Sequence, residues 1–76
     1  MIPVVIIDDE PLARGVVAEY LEPFSEFQIV AQCGDGFEGL KAIQRYRPAL
    51  IFLDIQMPKI NGFEMLELLD EKPEVI

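Results

Sequence analysis

Histidine is absent from the 76 residues, cysteine occurs once, at Cys33, and only 6 lysines and arginines stand against 14 aspartates and glutamates. One cysteine cannot form a disulfide within the chain, and zinc sites of the usual Cys/His kind lack their ligands. Without histidine, imidazole acid–base chemistry and Ser-His-Asp nucleophiles are excluded. The longest apolar run, Ile2 to Ile7 with Pro3 inside it, is far shorter than the ~20 residues a bilayer requires. Asp8, Asp9 and Glu10 occupy the place where a signal peptide would have its apolar centre. At 51% hydrophobic residues the chain is too apolar for intrinsic disorder. A soluble, reduced, cytoplasmic domain with no membrane contact is expected. The net charge of −8 argues against nucleic acid binding by this segment, because affinity for phosphate backbones comes from clustered Lys and Arg. Cations and basic protein surfaces are the partners such a charge favours.

What is present is punctuated regularly. Pro3-Val4-Val5-Ile6-Ile7 is a continuous apolar run that stops at two aspartates, the pattern of a central strand buried on both faces of a parallel sheet. Pro11 opens a helix in which Leu12, Val16 and Tyr20, beside Ala13, Val17 and Leu21, form two adjacent apolar ridges, and Pro23 marks its end. Gln28 to Cys33 reads as a second strand. Asp35, with Glu38 three residues on, caps a second helix whose buried stripe is expected at Leu40, Ile43 and Tyr46, with Arg45 and Arg47 at its C-terminus and Pro48 beyond.

Ala49 to Leu53 repeats the first pattern and is closed by Asp54. After a loop holding Met57-Pro58, Asn61 and Glu64 cap a third helix with Met65, Leu66 and Leu69 on its apolar side. Pro73 stops it, and Glu74-Val75-Ile76 looks like the opening of a fourth strand. Strands alternating with helices imply right-handed crossovers and an α/β, doubly wound parallel sheet, β-α-β-α-β-α followed by a stub.

In such sheets ligands bind beyond the carboxyl ends of the strands, where the strand order reverses. Asp8, Asp9 and Asp54 occupy such ends, and the strand order 2-1-3 would bring them together. A single Asp at a strand end is more often a cap or a turn former than a ligand. Two buried strands that both end in aspartate make the combination informative. Converging carboxylates repel unless a cation neutralises them, and Mg²⁺ binds through one or two carboxylates together with waters and phosphate oxygens. The expected chemistry is Mg²⁺-dependent handling of a phosphoryl group.

The strings Ile6-Ile7-Asp8-Asp9-Glu10-Pro11, Leu53-Asp54-Ile55-Gln56-Met57-Pro58 and Asn61-Gly62 resemble the receiver domain of two-component response regulators. Pro11-Leu12-Ala13-Arg14 is similar in particular to receivers attached to LytTR-type DNA-binding domains. The resemblance implies a flavodoxin-like (βα)₅ fold, of which residues 1–76 would be the N-terminal portion without the fourth and fifth βα units. It implies a non-enzymatic signalling module. Asp54 would be the phosphoacceptor, and Asp8, Asp9, Asp54 and the backbone carbonyl of Gln56 the Mg²⁺ ligands. A sensor histidine kinase would be the phosphoryl donor, and control of transcription would run through a DNA-binding output domain. The family's hydroxyl residue on the fourth strand and its lysine on the fifth have no counterpart in these residues.

Two other readings compete. Gly34-Asp35-Gly36-Phe37-Glu38-Gly39 fits the G-x-G-x-x-G fingerprint of dinucleotide sites, with Gly34, Gly36 and Gly39 as the cofactor-binding positions for NAD or FAD. Asp35 and Glu38 would repel a pyrophosphate there and compete for its N–H donors. Alternatively the acidic cluster is vestigial and the chain is an interaction module. A third strand left as an apolar edge would favour a homodimer or a segment-exchanged oligomer. Cys33 is read as a small buried apolar residue.

Overall fold

The computed structural model describes residues 1–54, Glu64, Glu67 and residues 74–76. Six elements follow in order: β1 (Ile2–Ile7), α1 (Pro11–Leu21), β2 (Phe27–Cys33), α2 (Gly36–Tyr46), β3 (Leu50–Leu53) and β4 (Glu74–Val75). The strands form one parallel sheet in the order β2-β1-β3-β4. β1 therefore has a strand on each side, and Val4, Val5, Ile6 and Ile7 are fully buried, as an unbroken β-branched run requires. Ile7 is level with Cys33 of β2 and with Leu53 of β3, so three carboxyl ends lie side by side.

The register between β1 and β2 slips once, from Val4 opposite Ile29 to Val5 opposite Ala31. Val30 is the extra residue of this bulge. Without the slip Gln32 would lie level with Ile7; with it the buried Cys33 does. Val5, Ile7, Cys33, Ala42, Ile43 and Ile51 form one core cluster, with Val30, Ala31, Leu40 and Leu53 packed against it. Cluster membership places α2 over the face of β1 that carries Val5 and Ile7. Strand alternation turns Val4 and Ile6 to the opposite face.

Both helices depart in part from the sequence reading. Of the two apolar ridges of α1, the one formed by Ala13, Val17 and Leu21 is half-buried. Leu12, Val16 and Tyr20 are 83%, 53% and 73% exposed. A helix buries one ridge against a single sheet, and a second apolar ridge beside it needs another neighbour. In α2 the stripe is Gly36, Gly39, Ala42 and Ile43, with Leu40 half-buried and Tyr46 exposed. Small residues bring this helix close to the sheet. An alanine Cβ at Gly39 would lie 2.6 Å from Ile7 Cδ1.

Tyr46 lies outward at the helix end, with the Arg45 guanidinium 5.4 Å from its ring centroid. Arg47 closes α2 in the left-handed region, at φ 47° and ψ 59°, and donates its N–H to Ile43 O at 2.9 Å. The capping pair holds with one change. Glu38 N donates to Asp35 Oδ1 at 2.8 Å, while Glu38 Oε1 accepts from Gly34 N at 3.2 Å instead of from Asp35 N.

β3 is not a bare edge. Leu50 and Ile51 pair with Glu74 and Val75, Ile76 N donates to Ile51 O, and Leu53 N donates to Ile76 O. Edge character passes to β4, whose residues are exposed. The self-association expected of an unpaired β3 loses that reason. Glu64 and Glu67 are helical and exposed. Met57-Pro58, Asn61, Gly62, the apolar side of the third helix and Pro73 lie outside the described residues. No helix among the described residues is long and apolar enough to cross a membrane.

Candidate functional site

The level ends of β1 and β3 place Asp8 and Asp54 on adjacent strands, one residue beyond the paired Ile7 and Leu53. Their backbones continue the ladder: Asp54 N donates to Ile7 O, and Asp8 N donates to Cys33 O, each at 3.0 Å. Asp9 follows in the β1–α1 connection. Carboxylate oxygens of Asp8, Asp9 and Asp54 lie within 4.8 Å of one another, with Asp8 and Asp54 half-buried and Asp9 exposed. Gln56, whose backbone carbonyl the sequence reading adds to this set, lies outside the described residues.

An all-oxygen donor set suits a hard divalent cation. Mg²⁺, with ligand distances of about 2.1 Å, spans at most about 4.2 Å between opposite ligands. The side chains therefore need only a small adjustment to close on one ion. Among the described residues this is the one group of three or more carboxylate, thiol or imidazole donors close enough to share a metal.

Asp8 has a second task. Its Oδ1 accepts from Glu10 N at 2.9 Å, so it is a turn former as well as a candidate ligand. Glu10 occupies the N-cap position of α1 but makes no side-chain cap. Arg14, one turn into α1, instead donates from Nη1 to the Asp8 carbonyl at 2.6 Å. Sequence reasoning missed this contact, because an arginine in a helix reads as a solvated charge. The signal was spacing alone: long helical side chains lean toward the N-terminus, onto the turn before them.

The glycine fingerprint is absorbed by packing and capping. Gly36 and Gly39 are both buried, and Gly39 lies against Ile7 of the sheet. The N–H groups of Gly34 and Glu38, which a pyrophosphate would need, are taken by Glu38 Oε1 and Asp35 Oδ1.

Cys33 is buried at the end of β2. Burial first, then the charges of Glu38 and Asp35, push its thiol from 9.0 up to about 11, against a smaller lowering by Arg14. Two units mean roughly a hundredfold less thiolate, the reactive form. Alkylation by iodoacetamide at pH 8 is expected to be at least that much slower in the native protein than in denaturant. Equal rates would show that the thiol is open. Because the unfolded thiol ionises first, this group's contribution to stability is complete below pH 9 and declines as pH rises toward 11.

Comparison with known proteins agrees with this architecture. The model of the response regulator receiver domain matches residues 4–76. The transcriptional regulatory protein BtsR of Escherichia coli K12 is 49% identical over 70 residues, covering 92% of this chain and 29% of that protein. A Vibrio cholerae protein described as an uncharacterized response regulatory protein is 42% identical over 78 residues, covering 100% of this chain and 33% of its own. The chain thus spans a third or less of the length of these curated relatives. Among solved structures, the response regulator domain of Thermotoga maritima CheB superposes with a TM-score of 0.89 at 31% identity, covering 99% of this chain and 57% of that one. The N-terminal domain of a response regulator receiver protein from Methanoculleus marisnigri gives 0.82 at 29% identity, covering 96% and 58%. With β2-β1-β3-β4 as its parallel sheet and a family match over nearly its whole length, the chain belongs to the response regulator receiver domain family and has that family's flavodoxin-like fold.

Proposed function

We propose that this chain accepts a phosphoryl group on Asp54 from a sensor histidine kinase, with Mg²⁺ held by Asp8, Asp9, Asp54 and the backbone carbonyl of Gln56. The observation that carries this reading is the convergence of three carboxylates within 4.8 Å at the carboxyl ends of β1 and β3. An Asp54 carboxylate oxygen attacks phosphorus, the bond to the donor nitrogen breaks, and an acyl phosphate forms on Asp54. Mg²⁺, when bound, would screen the charge on the phosphoryl oxygens as the Asp54 oxygen approaches in line with the leaving nitrogen. Asp8 and Asp9 keep the cation beside the nucleophile. The β-ladder bonds of Asp54 N and Asp8 N keep the two strand ends in register.

The module signals and does not turn over a substrate, and its downstream effect is regulation of transcription. The name of the Escherichia coli relative, a transcriptional regulatory protein, supports that placement. The Pro11-Leu12-Ala13-Arg14 string supports a LytTR-type DNA-binding output in the protein that carries this chain. A cytoplasmic location follows from the same reading. No observation favours a dinucleotide site, since its donors are already occupied.

Full-length protein incubated with acetyl phosphate and Mg²⁺ is expected to gain the mass of one phosphoryl group, in a linkage cleaved by hydroxylamine. Removing Mg²⁺ with EDTA should reduce the label to background. Labelling that is unaffected by EDTA would reject the metal role, and no labelling under either condition would reject the acceptor role.

A further inference from the structure

The β1–α1 connection carries two of the three carboxylates, yet α1 begins without a capping side chain. Three hydrogen bonds hold this connection from different sides. The Cys33 carbonyl accepts from Asp8 N at 3.0 Å, Asp8 Oδ1 accepts from Glu10 N at 2.9 Å, and the Asp8 carbonyl accepts from Arg14 Nη1 at 2.6 Å. The third is charge-assisted, the strongest kind of the three. The guanidinium also lies against the β2–α2 turn: a Cβ on Gly34 would come 3.5 Å from Nη1 and 3.4 Å from Glu38 Oε1. Arg14 is half-buried there, so its head is confined between two loops and does not wander in solvent.

From these contacts we infer that Arg14 is a positioning residue of the acidic site, which sets the Asp8–Asp9 peptide plane and thereby the spacing of the Asp8 and Asp9 carboxylates for a divalent cation. The inference rests on the reading of that site as a Mg²⁺ site. The Asp8 carbonyl belongs to the peptide whose nitrogen is that of Asp9, so rotation of this plane moves both carboxylates at once. A carboxylate has lone pairs enough for Asp8 to keep its bond to Glu10 N and still meet a cation.

Position and charge act in opposite directions here, which makes the inference testable by sign. As a charge, a cation beside the site opposes Mg²⁺, and its removal would tighten binding. As a clamp, its removal weakens binding, and loss of a group that orients a ligand typically costs ten- to a hundredfold in metal affinity.

The test is Mg²⁺ titration by calorimetry of the full-length wild type, Arg14→Met and Arg14→Lys, with thermal melts and the metal-free amide NMR spectrum alongside. Met retains the apolar stem and the helix propensity while removing the donors. Arg14→Met is expected to bind Mg²⁺ at least about tenfold more weakly, with its Asp9 amide resonance shifted before any metal is added. Arg14→Lys, with a donor but no planar fork, should fall between the two. Unchanged or tighter Mg²⁺ binding by Arg14→Met overturns the inference, even if its melting temperature drops, because that is the signature of a merely structural contact. If Arg14→Met fails to fold, Arg14→Lys decides: affinity and Asp9 resonance both unchanged overturn it, and weaker binding with a shifted resonance supports it. A wild type that binds no Mg²⁺ refutes the reading of the site itself, and this role with it.

Discussion

Asp54→Ala is expected to abolish phosphoryl incorporation from acetyl phosphate while leaving the fold intact. The substitution removes the proposed nucleophile, whereas the ladder contact at this position runs through Asp54 N to Ile7 O and survives in alanine. Without a cation, three carboxylates within 4.8 Å repel one another. Asp54→Ala removes one of these charges, and a cooperative thermal melt in EDTA is expected to show that the fold is kept. Asp9→Ala separates the roles. It keeps the acceptor, removes one charge from the metal cluster, and should slow labelling on the order of a hundredfold, the size of effect typical of losing one preorganised electrostatic group. Wild-type labelling by Asp54→Ala would move the acceptor elsewhere. Undiminished labelling by Asp9→Ala would remove that residue from the ligand set.

Gly39→Ala is expected to destabilise the protein by about 1–2 kcal/mol, although alanine is the better helix former. The new methyl would lie 2.6 Å from Ile7 Cδ1 and 3.1 Å from both Ile7 Cγ1 and Cγ2. Cδ1 can swing away, but the two γ carbons belong to a stiff β-branched side chain that is fully buried in β1. Relief requires α2 to lift from the sheet, and the core cluster it covers opens with it. Gly15 supplies the control. It too lies inside a helix, α1, and a Cβ there meets nothing within 4 Å. Gly15→Ala should therefore stabilise by up to about 1 kcal/mol through propensity alone. Urea melts of the two variants should shift in opposite directions. Shifts of the same sign would mean that α2 does not press on Ile7. Ile7→Val, which removes Cδ1, should recover part of the loss when combined with Gly39→Ala, as contacting residues are not additive.

The strands and the acidic cluster were legible because both depend on uninterrupted runs. Val4 to Ile7 and Leu50 to Leu53 have no polar residue until an aspartate, so their burial and their ends coincide. Periodicity was weaker for the helices. Leu12, Val16, Tyr20 and Ala13, Val17, Leu21 satisfy the same spacing, and only the docking of α1 on the sheet decides that the second set faces inward. In α2 the sequence reading counted large apolar residues and so included Tyr46. The sheet is in fact approached through Gly39 and Ala42, whose value lies in what they lack. The bulge at Val30 is tertiary in origin, and a local pattern holds no trace of it, whereas the reach of Arg14 back to Asp8 left only its six-residue spacing to be read.

The central position of β1 also orders events in time. β1 pairs first in sequence with β2, Val4 with Ile29, but its other side waits for β3, where Val4 meets Leu50. Contacts between residues so far apart form late, because a long stretch of chain must be closed before they contribute anything. Asp54 joins Asp8 and Asp9 only in that late step. Until that step topology keeps Asp54 away from the adjacent Asp8 and Asp9, and its repulsion with them is met only when β1 and β2 are already paired to bear it.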